Sequence, residues 1–276
     1  MPGVLLDRLG PFPGRIDAEL VRRYAAATND PNEASRSGSA VPPAAVVTQI
    51  WEAQEAGFAA LVPAPVRSSM AGGVHGQHDI LLHRPIAPGE PLQTWVEGFG
   101  SRRGGRHNLV TMRYLTHGDD GELIAEQWWT TVLLQAAGDP VGEAPPDHAV
   151  DRGAPPSRVG TYDVHADDEM PRRYAEVSGD WSAHHFDVEA ARRSGADRTF
   201  LHGLCTLALC AQGIVAMVAG GDPERVRRLA VRFAAPTFVG EHVEVHIDDV
   251  GDRQYVFEAA SAGAVVIRNG FAELRP

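Results

Sequence analysis

The 276-residue sequence predicts an α+β fold made of two copies of one unit, each a run of antiparallel strands curled around a long apolar helix. Three observations predict it. The strand-like segments follow one another without intervening helices, unlike a doubly wound α/β sheet. Each half of the chain has the same order: an amphipathic helix, a loop, a longer apolar helix and several strands. Short sequence matches also recur in register, about 150 residues apart.

The matches fall in two places. Arg22-Arg23-Tyr24-Ala25 is followed by Asp30, and Arg172-Arg173-Tyr174-Ala175 by Asp180 at the same spacing. Ala87-Pro88-Gly89-Glu90 and Phe238-Val239-Gly240-Glu241 each introduce an alternating strand. Between the halves, the stretch from Ala136 to Pro156 is rich in Pro, Gly, Asp and Ala and reads as a linker. The expected organisation is residues 1–135, a linker over 136–160, and residues 161–276, with the two units sharing one continuous sheet.

The elements follow from local patterns. Val47, Ile50, Trp51, Phe58 and Leu61 mark the long helix of the first half; Leu92–Phe99, Leu109–Thr116 and Leu123–Leu134 mark its sheet. In the second half Met170, Tyr174 and Val177 share a helix face, and Gly179 ends that helix where a left-handed residue is easiest. Asp187 suits the cap of a short helix over Val188–Arg193, closed by Gly195. Leu204, Leu207, Ala208, Ala211, Val215 and Val218 define the long helix. Val243, Val245 and Ile247 then alternate with Glu244, His246 and Asp248, and two strands follow around Phe257–Ala259 and Val265–Phe271.

Composition excludes several functions. A net charge of -11 argues against nucleic acid as a main partner. All 25 basic residues are arginine, which removes Schiff-base chemistry, covalent pyridoxal phosphate and the phosphate-loop lysine. No GxSxG elbow and no GxGxxG before a helix occur, so no serine hydrolase and no nicotinamide cofactor is implied. His75, His78 and His83 lack an accompanying acidic cluster, and His184-His185 with Asp187 is no better, so neither is read as a metal site. Cys205 and Cys210 are five apart on a helix and point in different directions, as two small core residues in a reducing compartment would. The N-terminus lacks secretory order, no apolar run reaches a membrane-spanning length, and ELRP is no peroxisomal tripeptide, so the expected compartment is cytoplasmic.

The chemistry-bearing stretch is Ser178-Gly179-Asp180, then Trp181-Ser182-Ala183-His184-His185, and later His202-Gly203 at the start of the long helix. It resembles the hydratase 2 motif of the MaoC-like (R)-specific enoyl-CoA hydratases, particularly two-repeat members such as the hydratase part of the peroxisomal multifunctional enzyme. The resemblance implies a double hot-dog fold with no cofactor and no metal. It also implies reversible hydration of trans-2-enoyl-CoA to (3R)-3-hydroxyacyl-CoA, with acyl carrier protein as another possible carrier of the thioester. Hydration needs a base for water, an acid for the α-carbon and donors for an enolate-like oxygen. Asp180 and His185 suit the proton transfers, and the N–H of Gly203, at a helix start, suits the oxyanion. Ser182 and His202 are the expected substrate-side residues, with His202 also suited to bonding backbone beside the site.

The sequence departs from the motif in places. Ser182-Ala183 replaces Asn-Pro, offering a shorter reach. Single-repeat relatives place a serine in the long helix where this chain has Ala211. In the first half Asp30 persists, but Ser35 stands where His185 does, and Val41-Pro42-Pro43 replaces His-Gly, without N–H groups at the prolines. The first half is therefore expected to be degenerate, making room for the acyl chain and CoA, and the second half catalytic. Two other readings remain: a non-catalytic acyl-thioester-binding subunit, and a hot-dog thioesterase. A homodimer is compatible with the sequence, although the fused repeat already supplies two units.

Overall fold

The computed structural model describes residues 8–61, 72–136, 140–147 and 156–276. The first half runs β1 (Leu9–Arg15), α1 (Ala18–Ala27), α2 (Glu33–Ser37), a 3₁₀ turn (Pro43–Gln49), α3 (Trp51–Leu61), β2 (Gly73–Leu82), β3 (Pro91–Gly104), β4 (His107–Gly118) and β5 (Leu123–Leu133). After the short β6 (Val141–Gly142), the second half repeats it. It comprises β7 (Ser157–Ala166), α4 (Met170–Ser178), a 3₁₀ turn (Ala183–His185), α5 (Val188–Arg193), α6 (Gly203–Met217), β8 (Val226–Phe233), β9 (Glu241–Gly251), β10 (Gln254–Ser261) and β11 (Ala264–Leu274).

Capping fixes the helix starts. Asp17 accepts the N–H of Leu20 at 2.8 Å, Asn32 accepts from Ala34 and Ser35, and Asp187 accepts from Ala190. Gly179, at φ +81°, closes α4 in the left-handed region that a side chain resists.

All strands join one antiparallel sheet, in the order β1-β3-β4-β5-β2-β8-β11-β10-β9-β7, with β6 added beside β3. Read inward from either edge, the two halves have the same strand order, so the repeat seen in the sequence is a repeat of topology. The equivalent turns agree in detail: Gly89 N–H donates to Ile16 O at 2.8 Å, and Gly240 N–H to Ala166 O at 2.6 Å. The halves meet where β2 pairs with β8, from Gln77↔Arg232 to Leu81↔Arg228. There Arg228 clamps the fully buried Asp79, with Nε–Oδ1 at 3.0 Å and Nη2–Oδ2 at 2.5 Å. The continuous sheet wrapped around central helices is thus present.

Three features differ from the sequence expectation. The long helix of the first half is not one helix: Pro43–Gln49 is 3₁₀, and α-helix begins only at Trp51. The β-branched run Val46-Val47-Thr48 is stiff at χ1 and disfavours the α-helix there. By contrast α6, rich in Leu and Ala, is a continuous helix of 15 residues buried over most of its length. The alternation also singled out neither β2 nor β8. Residues Gln77–Ile80 of β2 are buried consecutively, as at a seam covered on both faces, so no period of two is left to read. The segment read as a linker contains β6 and the start of β7; its residues 137–139 and 148–155 lie outside the described ones. Among the described residues no helix is long and apolar enough to cross a membrane.

Candidate active site

The loop after α4 carries the motif. Gly179 lets the chain turn sharply against Trp51, whose Cδ1 lies 3.3 Å from where a Cβ would stand. Asp180 then folds back on its own loop, with Oδ1 accepting the Ser182 N–H at 3.0 Å. The 3₁₀ turn Ala183–His185 returns the imidazole of His185 toward it, leaving Nε2 3.8 Å from Asp180 Oδ2. On the far side of the ring Nδ1 donates to Phe200 O at 2.8 Å. A carbonyl only accepts, so Nδ1 carries the proton and Nε2 presents its lone pair to the carboxylate.

A gap of 3.8 Å is too long for a direct hydrogen bond and suits two acceptors that share one water. Burial, with His202 and His184 close by, pushes the His185 pKa down to about 3 against the pull of Asp180. His185 is therefore neutral at ordinary pH, as an acceptor of a proton must be. His202, also lowered by burial, to about 4, stands behind the pair. Its Nε2 donates to Asp180 O at 2.9 Å, and its ring stacks on His185 with centroids 3.7 Å apart.

Asp180, His185 and His202 also offer ligand atoms within 4.8 Å of one another, the one such grouping among the described residues. With His185 Nδ1 and His202 Nε2 committed to carbonyls, the remaining lone pairs lie in the planes of two stacked rings.

The pair opens onto a cavity of about 500 Å³. Asp180, Ser182, His185 and Gly203 all lie on its wall, so four of the five residues expected at the site are brought together. His202 is not on the wall: it is 1% exposed and holds the Asp180 backbone from behind. Gly203 is the first residue of α6, where backbone N–H groups have no partner within the helix. A Cβ there would stand 3.2 Å from the Phe233 ring, so a side chain would crowd the wall.

Much of the remaining wall comes from the first half, through Trp51, Gln54, Phe58, His75 and Trp129. Adjacent tryptophans have opposite fates, because successive strand residues face opposite sides. Trp129 lines the cavity, whereas Trp128 packs near Phe99 and Arg113. Gly73, at the start of β2, also lines the cavity. His75 and His78 are in edge contact at 5.2 Å, while His83 pairs elsewhere with Glu126 at 2.9 Å. No local pattern distinguishes these wall residues from core.

The first half keeps the scaffold of the motif without its imidazole. Asp30 accepts the Asn32 N–H at 2.9 Å, repeating the turn of Asp180 with Ser182. Ser35 takes the place of the imidazole, and Pro43 takes the helix start held by Gly203. Only a narrow space separates Asp30 from Ala211 and Gln212 of α6, so Ala211 faces the first-half loop rather than the cavity at Asp180.

A continuous antiparallel sheet around two central elements defines the double hot-dog class. A solved MaoC-like dehydratase from Phytophthora capsici superposes over 96% of this chain and 95% of its own, with a TM-score of 0.82 at 20% identity. The model of the MaoC like domain matches residues 151–268. The 3-hydroxyacyl-thioester dehydratase Y of Mycobacterium tuberculosis is 30% identical over 217 residues, which is 72% of either chain. Mouse peroxisomal multifunctional enzyme type 2 is 33% identical over 101 residues, 36% of this chain and 14% of that much longer one. The chain belongs to the MaoC-like dehydratase family.

Proposed function

We propose that the protein is a hydro-lyase that adds water to a trans-2-enoyl thioester, giving the (3R)-3-hydroxyacyl thioester, or runs the reverse dehydration. The observation that carries the reading is the facing pair of acceptors, Asp180 Oδ2 and neutral His185 Nε2, 3.8 Å apart on the cavity wall. Relatives named 3-hydroxyacyl-thioester dehydratase and enoyl-CoA hydratase 2 support it.

In this reading one water donates a hydrogen bond to each of the two acceptors and turns its own lone pair to C3. Its oxygen bonds C3 as one O–H bond breaks to the acceptor pair, while the C2=C3 electrons move onto the thioester oxygen. The Gly203 N–H at the start of α6 stabilises that oxygen, where an aligned donor counts most. A proton then passes from the pair to C2 on the same face, restoring both groups. Ser182 borders the substrate, and His202 fixes the Asp180 backbone. The first half serves as the acyl wall, since its own Asp30 lacks an imidazole partner and an N–H at Pro43.

The thioester carrier in this reading is CoA or an acyl carrier protein, and a single chain completes the site because its halves already pair. Buried, unpaired Cys205 and Cys210 fit a reducing, cytoplasmic setting. The test is loss of enoyl-thioester absorbance when the protein is added to crotonyl-CoA, with a thiol trap alongside. Turnover without thiol release is expected; thiol release would mark a thioesterase, and binding without turnover a non-catalytic subunit.

A further inference from the structure

Among the polar side chains on the first-half wall of the cavity, His75 is set apart by an acceptor atom that takes no hydrogen bond from the described residues. Gln54 Oε1 accepts from the Tyr114 hydroxyl, and Thr131 Oγ1 accepts from Trp129 Nε1 at 3.0 Å. His75 uses one ring nitrogen: Nε2 lies 3.1 Å from Gln77 O and must donate, because a carbonyl only accepts. Nδ1 is therefore an acceptor nitrogen, and no described residue donates to it. The ring itself is held tightly, stacked on Trp129 at 3.8 Å with planes 2° apart and tilted against Phe233 at 4.7 Å.

Packing alone does not account for a histidine here. A phenyl ring would stack on Trp129 as well but would lose the bond to Gln77 O, and that bond accounts for one ring nitrogen only, leaving Nδ1 on the cavity wall with no described donor. The position matters too. Phe233 is the same ring that lies against Gly203, so His75 is one ring removed from the amide proposed to hold the thioester oxygen. A chain anchored at Gly203 and running along Phe233 passes His75.

We infer that the cavity is built for acyl chains bearing a hydroxyl group, which donates to His75 Nδ1. Burial, and His78 beside it, push the His75 pKa well down, so the ring stays neutral and Nδ1 accepts rather than donates. That sign is specific: a hydroxyl is favoured, whereas a ketone at the same carbon, which has no proton to give, is not. The inference rests on the cavity taking an acyl thioester, and it adds the class of acyl chain.

The test compares 2-enoyl-CoAs of one length, plain or carrying a hydroxyl or a ketone at successive positions beyond C3. At the matching position the wild-type protein is expected to favour the hydroxylated chain in kcat/KM by about fivefold to tenfold, the size of one neutral hydrogen bond. The ketone should show no such gain. In His75→Phe the ratio should fall to about one, while His75→Gln, which keeps an acceptor, should retain part of it. Ratios cancel any loss common to both substrates. Equal kcat/KM for plain and hydroxylated chains at every position in the wild type would overturn the inference, whether or not the variants fold. If the protein turned over neither, saturated acyl-CoAs with and without the hydroxyl would be titrated against fluorescence of the cavity tryptophans. A preference lost in His75→Phe would then uphold the inference although hydration had failed; equal affinities would end it.

Discussion

Tyr24 and Tyr174 occupy equivalent positions in the two repeats and meet across the boundary between them, ring centroids 5.9 Å apart. Both are fully buried, α1 packs against α4 there, and Arg23 reaches over to Glu176 O. The contact places each motif loop beside the central helix of the other half. Asp180 and His185 therefore share a cavity with Trp51 and Phe58, while Asp30 faces Ala211 and Gln212. One chain thus holds two related loops in different surroundings, and the proposed chemistry resides in the loop that pairs its carboxylate with an imidazole.

The acceptor pair is the first test. Asp180→Asn and His185→Ala should each lower kcat/KM for enoyl-CoA hydration by about 10²–10⁴, the usual worth of a positioned acid or base. Circular dichroism should show an unchanged fold. Near wild-type turnover in both variants would remove the mechanism.

The helix start offers a sharper one. Gly203→Pro places at α6 the residue that the first half carries at Pro43, and proline is tolerated at the first position of a helix. It deletes the proposed oxyanion donor, so kcat should fall by about 10²–10³. KM should move less. Because the ring approaches Phe233, the thermal midpoint is to be measured beside the rate.

Acid should unfold the protein through its buried imidazoles. His185 is lowered to about 3, and His78 and His202 to about 4, each mainly by burial. Between those values and the ordinary pKa near 6.5 the unfolded chain binds protons that the folded chain refuses, so stability rises with pH. The contribution is complete above about pH 6.5 and is lost progressively toward pH 4. Thermal midpoints from pH 8 to 4.5 should therefore fall on the acid side, and His78→Gln should fall less steeply than wild type. For the same reason kcat/KM should show no acid limb near pH 6.5 from His185.

At the seam, Asp79→Ala leaves Arg228 largely buried without its carboxylate. Breaking such a pair from one side costs about 3–5 kcal/mol. Urea unfolding should report a loss of that order; a loss under about 1 kcal/mol would mean that solvent reaches Arg228.

What the sequence determined by itself is local or repeated. Gly179, Asp187 and the alternation from Val243 to Ile247 are read from the capping and periodicity of a few neighbours, and the structure has them as elements at those positions. The repeat of Tyr24 with Tyr174 and of Asp30 with Asp180 announced a repeated topology, and the motif spacing placed Asp180, His185 and Gly203 around one cavity. Tertiary structure alone decided the rest. The break between the 3₁₀ turn and α3, the seam of β2 with β8, the split fates of Trp128 and Trp129, and the placement of His75 beside Phe233 all depend on partners distant in the chain. A residue buried on both faces has no period, and a cavity wall and a packed core draw on the same apolar and aromatic side chains. Which of them faces empty space is settled only when the two halves close on each other.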